Sequence, residues 1–211
     1  EDRFRGSQEE IRRRVSDYLP EFQGASDVLD VGCGRGEFLD LLREQGISAR
    51  GVDINHEMVE TCRARGLEVA EGDALGFLSG LPDESLGGLF AAQVVEHLQP
   101  GYLMRLLEAA YHKLRPGSTI ILETINPACW FAFFESYLRD ITHVRPLHPD
   151  TLQYLVSASG FQKVDVRYRV PYPDSEKLGH IAVAEPSSYA EVQSLQPLAQ
   201  AASTLNANAD K

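Results

Sequence analysis

Basic residues are scarce in this 211-residue chain: 20 Lys and Arg stand against 31 Asp and Glu, a formal net charge of −11. A protein that grips nucleic acid through its phosphates needs the opposite balance, so no nucleic-acid partner is expected. The one basic cluster, Arg12-Arg13-Arg14 with Arg3 and Arg5 upstream, has Glu9 and Glu10 at helical spacing and reads as a solvated helix face. Cysteine is nearly missing. Cys33, Cys62 and Cys129 make neither an even set nor a metal-ligand spacing, and they read as reduced thiols of a cytoplasmic protein. No apolar run reaches the length of a membrane span, and the first residues carry no signal-peptide pattern. The chain starts at Glu1 rather than Met, which reads as an excised or processed chain. Any contact with the inner face of a membrane is then assigned to domains outside it. An internal repeat is also lacking, and so is an acidic cluster beyond the motif acids described next; no required metal is expected.

What the chain does have is a glycine turn. Val28-Leu29-Asp30-Val31 reads as a short buried strand, Gly32-Cys33-Gly34-Arg35-Gly36 as a tight turn, and Glu37 to Leu42 has helical spacing of its apolar residues. A strand, a glycine-rich turn and a helix N-terminus hold a nucleotide-like ligand against backbone N–H groups. Dinucleotide sites use G-x-G-x-x-G; here the spacing is G-x-G-x-G, with an acid, Asp30, two residues ahead. That carboxylate would repel a pyrophosphate but suits a cationic amino-acid group. Asp53, 17 residues beyond Gly36, stands where an acid accepts hydrogen bonds from ribose hydroxyls. Adenosine plus an ammonium group, without phosphates, points to S-adenosylmethionine and away from a nicotinamide cofactor.

At these residues the chain resembles the class I S-adenosylmethionine-dependent methyltransferases over roughly residues 26 to 185. Asp30-Val31-Gly32-Cys33-Gly34-Arg35-Gly36 is similar to the family's first motif, and Gly51-Val52-Asp53-Ile54 to its second. Glu71-Gly72-Asp73-Ala74 resembles the segment whose acid meets the adenine amino group. Ala92 to Leu98, with Gln93, resembles the segment beneath the methionine end, and Leu114 to Ser118 the turn before strand five. The resemblance implies a Rossmann-like, doubly wound α/β fold: a mostly parallel seven-stranded sheet, its last strand antiparallel, with helices on both faces. It implies cofactor contacts at Asp30, Gly32, Gly34, Gly36, Asp53, Ile54, Asp73, Ala74 and Gln93.

The periodicity fits that outline. A helix is expected over 7–19, capped by Ser7 with Glu10 as a capping box. Strands are expected near 27–31, 48–52, 67–70, 88–93 and 118–124, with helices near 36–45, 55–65, 101–114 and 150–159, Asp150 capping the last. Lys163 to Val170 alternates as a half-exposed strand, with His180 to Ala184 as its partner. The composition, 43% hydrophobic and 24% charged, is that of an ordinary globule with a full core. Three parts are expected: residues 1–24 as an N-terminal helix and lid, 25–185 as the methyltransferase domain, and 186–211 as a linker or the start of a helix toward further domains.

On the acceptor side, an in-line methyl transfer needs alignment and often a base. His97 follows strand four beside Glu96, and His143 lies in the loop Arg139 to Pro149 with Asp140 three residues before it. His143 reads as a base or binder of the acceptor, oriented by Asp140; His97 reads either as catalytic or as a structural tie. Arg145 is placed to hold an acidic group of the substrate, and Glu123 and Asn126 at the end of strand five to meet its hydroxyls. Trp130, Phe133, Phe134 and Tyr137 recur at helical spacing, as core or as the roof of an acceptor pocket, with Trp130 and Tyr137 the candidate substrate contacts. The stretch Asp140 to Pro149, with Phe4-Arg5-Gly6-Ser7, resembles methyltransferase domains of larger bacterial proteins that modify surface polysaccharides. That resemblance implies O-methylation of a sugar hydroxyl or glycan-linked phosphate, and Phe4 and Arg5 folded over the cofactor or the acceptor as a lid. A small-molecule methyltransferase of the ubiquinone or natural-product type, and a non-catalytic scaffold of the same fold, are the alternatives.

Overall fold

The computed structural model describes residues 6–177 and 189–209. The chain opens with helix α1 (Gln8–Ser16), where the Ser7 hydroxyl accepts the Glu10 N–H at 3.2 Å, as the capping pattern requires. Strand β1 (Val28–Val31) and helix α2 (Glu37–Glu44) follow, then β2 (Ala49–Asp53), α3 (His56–Ala64) and β3 (Val69–Glu71). Helix α4 (Ala74–Ser79) leads to β4 (Leu86–Ala92), and α5 (Pro100–Lys113) runs directly into β5 (Leu114–Glu123). Helices α6 (Pro149–Ala158) and α7 (Tyr189–Ala209) complete the set. None of the described helices is long and apolar enough to cross a membrane.

The sheet is parallel throughout, in the order β3-β2-β1-β4-β5. Strand order therefore reverses between β1 and β4, and a crevice opens at their carboxyl ends, the place where such sheets bind ligands. Central strand β1 is buried at all four positions, as a strand covered on both faces must be. On one side Leu29, Val31, Val52, Leu86 and Leu89 pack with Leu78, Leu106 and Ala110 from α4 and α5. On the other, Val28 and Phe90 pack with Val15, Tyr18, Phe22, Phe38 and Leu42. Phe38 and Phe90 lie 4.1 Å apart between ring centroids, and Tyr18 sits 5.2 Å from Phe90, so aromatic packing seats the α1 segment on the sheet.

Several expectations change. Among the described residues the sheet has five strands, not seven. Lys163 to Val170 is irregular, not a strand: Lys163 and Val170 both have φ near +55°, a conformation that breaks an extended run, and Val170 is β-branched. Arg167 and Arg169 of this stretch instead reach back to Glu21 and Asp17, and the Arg169 guanidinium lies 4.8 Å above the Tyr18 ring. The expected partner, His180 to Ala184, lies outside the described residues. Arg12 and Arg14 do not pair along their own helix; Arg12 bonds Glu44 at 2.5 Å and Arg14 bonds Glu123 at 3.2 Å. The cap of α6 is His148, whose ring accepts the Asp150 N–H at 3.3 Å, rather than Asp150 itself.

Candidate functional site

The carboxyl ends of β1 and β2 build the first half of the crevice. Gly32, Gly34 and Gly36 have φ of +68°, +53° and +77°, a left-handed run that side chains disfavour. At Gly32 the space is closed as well: a Cβ there would stand 2.5 Å from the Val94 Cγ2. Asp53 ends β2 with its carboxylate divided between two turns, Oδ2 accepting the Gly34 N–H and Oδ1 the Asn55 N–H, both at 2.8 Å. Each oxygen keeps a second lone-pair direction for a ligand hydroxyl. Asp30 is buried, and Ile54 is 79% exposed beside Asp53, an apolar group with no protein neighbour covering it. Cys62 Sγ donates to the Gly34 carbonyl at 3.2 Å, and its hydrogen bond with Cys33, together with burial, holds the Cys33 thiol well above the usual range. None of the three cysteines is in a disulfide.

Asp73 caps α4, accepting the Gly76 N–H at 2.8 Å on one oxygen and the Tyr102 hydroxyl at 2.6 Å on the other. Tyr102 first, and Gly76 next, hold this carboxyl below its ordinary range. The same Tyr102 oxygen accepts the Leu75 N–H at 3.0 Å, so the turn that carries Asp73 and Ala74 is fixed from α5. The sequence singled out Asp73 but not Tyr102, which lies 29 residues further along the chain and gives no local sign of reaching it. Arg5 lies outside the described residues.

The second half of the crevice is formed by the ends of β4 and β5. Gln93, with φ +57°, turns the chain out of β4 and donates its side-chain amide to Glu123 at 3.0 Å. Glu123 also accepts from Arg14 and from the Tyr18 hydroxyl. Burial, and then the Glu123 charge, push the Tyr18 hydroxyl far up, so it stays a donor. Glu123, expected to meet substrate, is thus engaged by three groups of the chain and rivets α1 to the end of β5. Asn126 is likewise turned inward: its Oδ1 accepts the Ala128 N–H at 3.0 Å.

Beyond β4, a single 3₁₀ turn, Val95–His97, places Glu96 and His97, and the loop 140–147 brings His143 against them. Val144 N–H and Arg145 N–H both donate to the Glu96 carbonyl, at 2.9 and 3.4 Å. The imidazoles of His97 and His143 lie 4.7 Å apart. His143 Nδ1 faces the Tyr137 carbonyl at 2.7 Å; a carbonyl only accepts, so the proton is on Nδ1 and Nε2 carries a lone pair. His97 Nδ1 faces the Thr142 hydroxyl at 3.0 Å, and that hydroxyl donates its hydrogen to Asp140 at 2.6 Å. His97 is therefore also protonated at Nδ1. Asp140, expected to orient the His143 ring, accepts the His143 N–H on its carbonyl at 3.2 Å, while its carboxylate supports the His97 ring through Thr142. Burial pushes the Asp140 carboxyl up, but the Thr142 hydroxyl and N–H outweigh it and hold the group below its ordinary range.

Glu96 has no exposed surface, and neither carboxylate oxygen has a hydrogen-bond partner. Burial pushes its carboxyl up, opposed in part by its own backbone N–H, then by the nearby Thr124 hydroxyl and the two imidazoles. The aromatic stripe does not form one regular helix. A π turn at Ala132–Ser136 and a 3₁₀ turn at Tyr137–Arg139 offset it, so Tyr137 is buried and stacks on His143 at 4.5 Å, while Trp130 and Phe134 are exposed. Arg145 is exposed at the rim.

Residues 3–166 match the model of a family described as a methyltransferase domain. A crystal structure of a SAM-dependent methyltransferase from Archaeoglobus fulgidus superposes with a TM-score of 0.83 at 36% identity, over 97% of this chain and 90% of that one. A Mycolicibacterium smegmatis protein named a probable S-adenosylmethionine-dependent methyltransferase is 28% identical over 141 residues, 66% of this chain and 53% of its own length. A ubiquinone biosynthesis O-methyltransferase of Xylella fastidiosa is 29% identical over 121 residues, 55% of this chain and 46% of its own. The chain spans about half the length of these curated relatives. The glycine turn with its open backbone and the lone pairs of Asp53 fit an adenosine bearing an amino-acid group, and with the match over 3–166 the chain belongs to the family of methyltransferase domains, with S-adenosyl-L-methionine as its cofactor.

Proposed function

We propose that this domain methylates a phenolic or catecholic hydroxyl of a small molecule, as the ubiquinone-type reading holds. The observation that carries it is the pair of imidazoles, His97 and His143, each fixed by its Nδ1–H so that an unprotonated Nε2 is left at the carboxyl end of β4. When bound, S-adenosyl-L-methionine supplies an electrophilic methyl group on a sulfonium. Gly32, Gly34, Gly36, Asp30, Asp53 and Asp73 are the residues proposed to hold it. The chain's remaining task is to orient a hydroxyl and accept its proton, which we assign to His143 Nε2, with Tyr137 stacked behind the ring to fix its plane.

A phenol, with a pKa of about 10, gives up its proton more readily than an aliphatic hydroxyl near water's value of about 15.7, so one base does more for a phenolic acceptor than for a sugar. The glycan acceptor that the loop resemblance implies is the weaker reading on this ground, and one of the two curated relatives described above is named for ubiquinone biosynthesis. We keep the partition into a helix and lid (1–24), a catalytic unit (25–185) and a tail (186–211) as part of the proposal; α7 supports the reading of the tail as helical.

The test is methyl transfer from S-adenosyl-L-methionine to matched catechol, phenol and sugar acceptors, followed by mass. Methyl ethers of the first two are expected. His143→Ala should cut turnover about 10²-fold or more, with cofactor affinity unchanged. Transfer confined to sugars or amines, or full turnover in His143→Ala, would overturn the assignment.

A further inference from the structure

We propose that Glu96, His97 and His143 bind a divalent transition-metal ion of the zinc type. One carboxylate oxygen and one ring nitrogen of each histidine lie within 4.8 Å of one another. A tetrahedral ion with bonds of about 2.0–2.2 Å sets its ligand atoms about 3.3–3.6 Å apart, so small side-chain rotations close the set. Two imidazole nitrogens and one carboxylate oxygen form a donor set suited to zinc and its neighbours rather than to magnesium or calcium, which take oxygen.

Three observations go beyond proximity. The first is Glu96 itself: a carboxylate with no exposed surface, whose neighbouring donors, its own N–H and the Thr124 hydroxyl, do not meet hydrogen-bond geometry at either oxygen. Removing a carboxylate from water costs several kcal/mol unless a cation or donors replace the solvent, and a bound dication would supply that compensation. The second is the state of the rings. Both Nδ1 atoms are committed as donors, one to the Tyr137 carbonyl and one through Thr142 to Asp140, so each ring has only Nε2 to offer. Metal-binding histidines are held in this way, the non-ligating N–H donating to a carbonyl or toward a carboxylate. The third is rigidity across the chain: the Glu96 carbonyl accepts the N–H groups of Val144 and Arg145, so the loop bearing His143 is pinned to the turn bearing the other two ligands.

The sequence argued against a metal because no acidic cluster was visible; the set is assembled from residues 46 positions apart and contains only one acid. The site occupies the crevice assigned above to the acceptor, and its existence does not depend on which acceptor is used. An ion there would take the two Nε2 lone pairs and lower the pKa of an acceptor oxygen by coordination. The work given to His143 as a base in the metal-free protein would then fall to the ion.

The chelator-treated 211-residue chain, titrated with Zn²⁺ by calorimetry and with Co²⁺ by visible absorption, tests this without any methyl-transfer readout. One ion per chain is expected, with the intense absorption of a four-coordinate Co²⁺. His143→Ala and Glu96→Gln should each weaken binding more than about 100-fold. Thr142→Val, which touches only the support of His97, should weaken it about 10–100-fold. His56→Ala, at the exposed His56–Glu71 pair, should leave it unchanged. If Glu96→Gln fails to fold, His143→Ala and Thr142→Val decide the matter. The proposal is overturned by no binding tighter than about 100 µM, or by binding that survives His143→Ala and is lost in His56→Ala. Ion binding without phenol methylation would sink the acceptor assignment alone; phenol methylation by a chain that binds no ion would sink this one alone.

Discussion

Gly32→Ala isolates the physics of the cofactor turn, because two separable penalties meet at one atom. The φ of +68° costs an alanine about 1–2 kcal/mol in the left-handed region. The added Cβ would also stand 2.5 Å from Val94 Cγ2, an overpacking of the kind that costs about 1–3 kcal/mol. The single variant should therefore lose about 2–5 kcal/mol of unfolding free energy. Val94→Ala removes Cγ2, and the next atom, the Cβ of residue 94, is 3.7 Å away, an ordinary contact. In that background Gly32→Ala should lose only the backbone part, about 1–2 kcal/mol. Urea unfolding of the four proteins, with a common m-value, measures the coupling directly. Equal losses in the two backgrounds would refute the steric argument, and a loss below about 1 kcal/mol in the wild-type background would refute both halves.

Three further outcomes follow from contacts around the crevice. Tyr18→Phe deletes the hydroxyl that donates to the Glu123 carboxylate and should cost about 1.5–3 kcal/mol in urea unfolding, the range for hydrogen bonds to charged groups; a loss under about 0.5 kcal/mol would show that Arg14 and Gln93 suffice to hold Glu123. Asp73 is held below its ordinary carboxyl value of 3.8, so its stabilisation is complete above that pH and disappears as pH falls through the lower folded value. Tyr102→Phe removes the largest cause, so the stability gap between wild type and variant, followed by urea unfolding from pH 6 to about 2.5, should narrow only below about pH 4; a gap that is flat across this range would assign it to packing. Asp53→Asn should weaken S-adenosylhomocysteine binding by about 1.5–3 kcal/mol, since a charged acceptor is replaced by an amide that must choose which turn to serve; calorimetry with unchanged affinity would remove Asp53 from the site.

The legible part of this protein was the part written in local spacing. Gly32 to Gly36 and the apolar runs around it have few alternatives, so β1, α2, β2 and α3 were placed within a residue or two. Helix α4 was missed because it is only six residues long, carries Gly76 inside and begins within the Asp73 motif. Strand β5 begins four residues before the position read for it, since Pro116 and Gly117 look like a stop; they are taken up as a bulge of β5 between the pairs Leu86–Leu114 and Gly88–Thr119. Distance along the chain hid the rest. Glu123 looked free for substrate because Arg14 and Tyr18, more than 100 residues earlier, give no local sign of reaching it. Glu96 drew notice only as the neighbour of His97; nothing local announced that it would be fully buried with the 140–147 loop pinned to its carbonyl. The π turn at Ala132–Ser136 broke an aromatic stripe whose spacing was read as regular helix.

The division of the Asp53 carboxylate between Gly34 N–H and Asn55 N–H has a dynamic consequence. The turn after β1 and the turn after β2 are coupled, since both hang their N–H groups on the same partly buried carboxylate. They behave as one cooperative unit of local unfolding, with a single opening free energy. A ligand fragment that touches only the ribose side would then quiet the glycine turn as well, and the methionine end of the cofactor would meet a surface whose ordering cost has already been met.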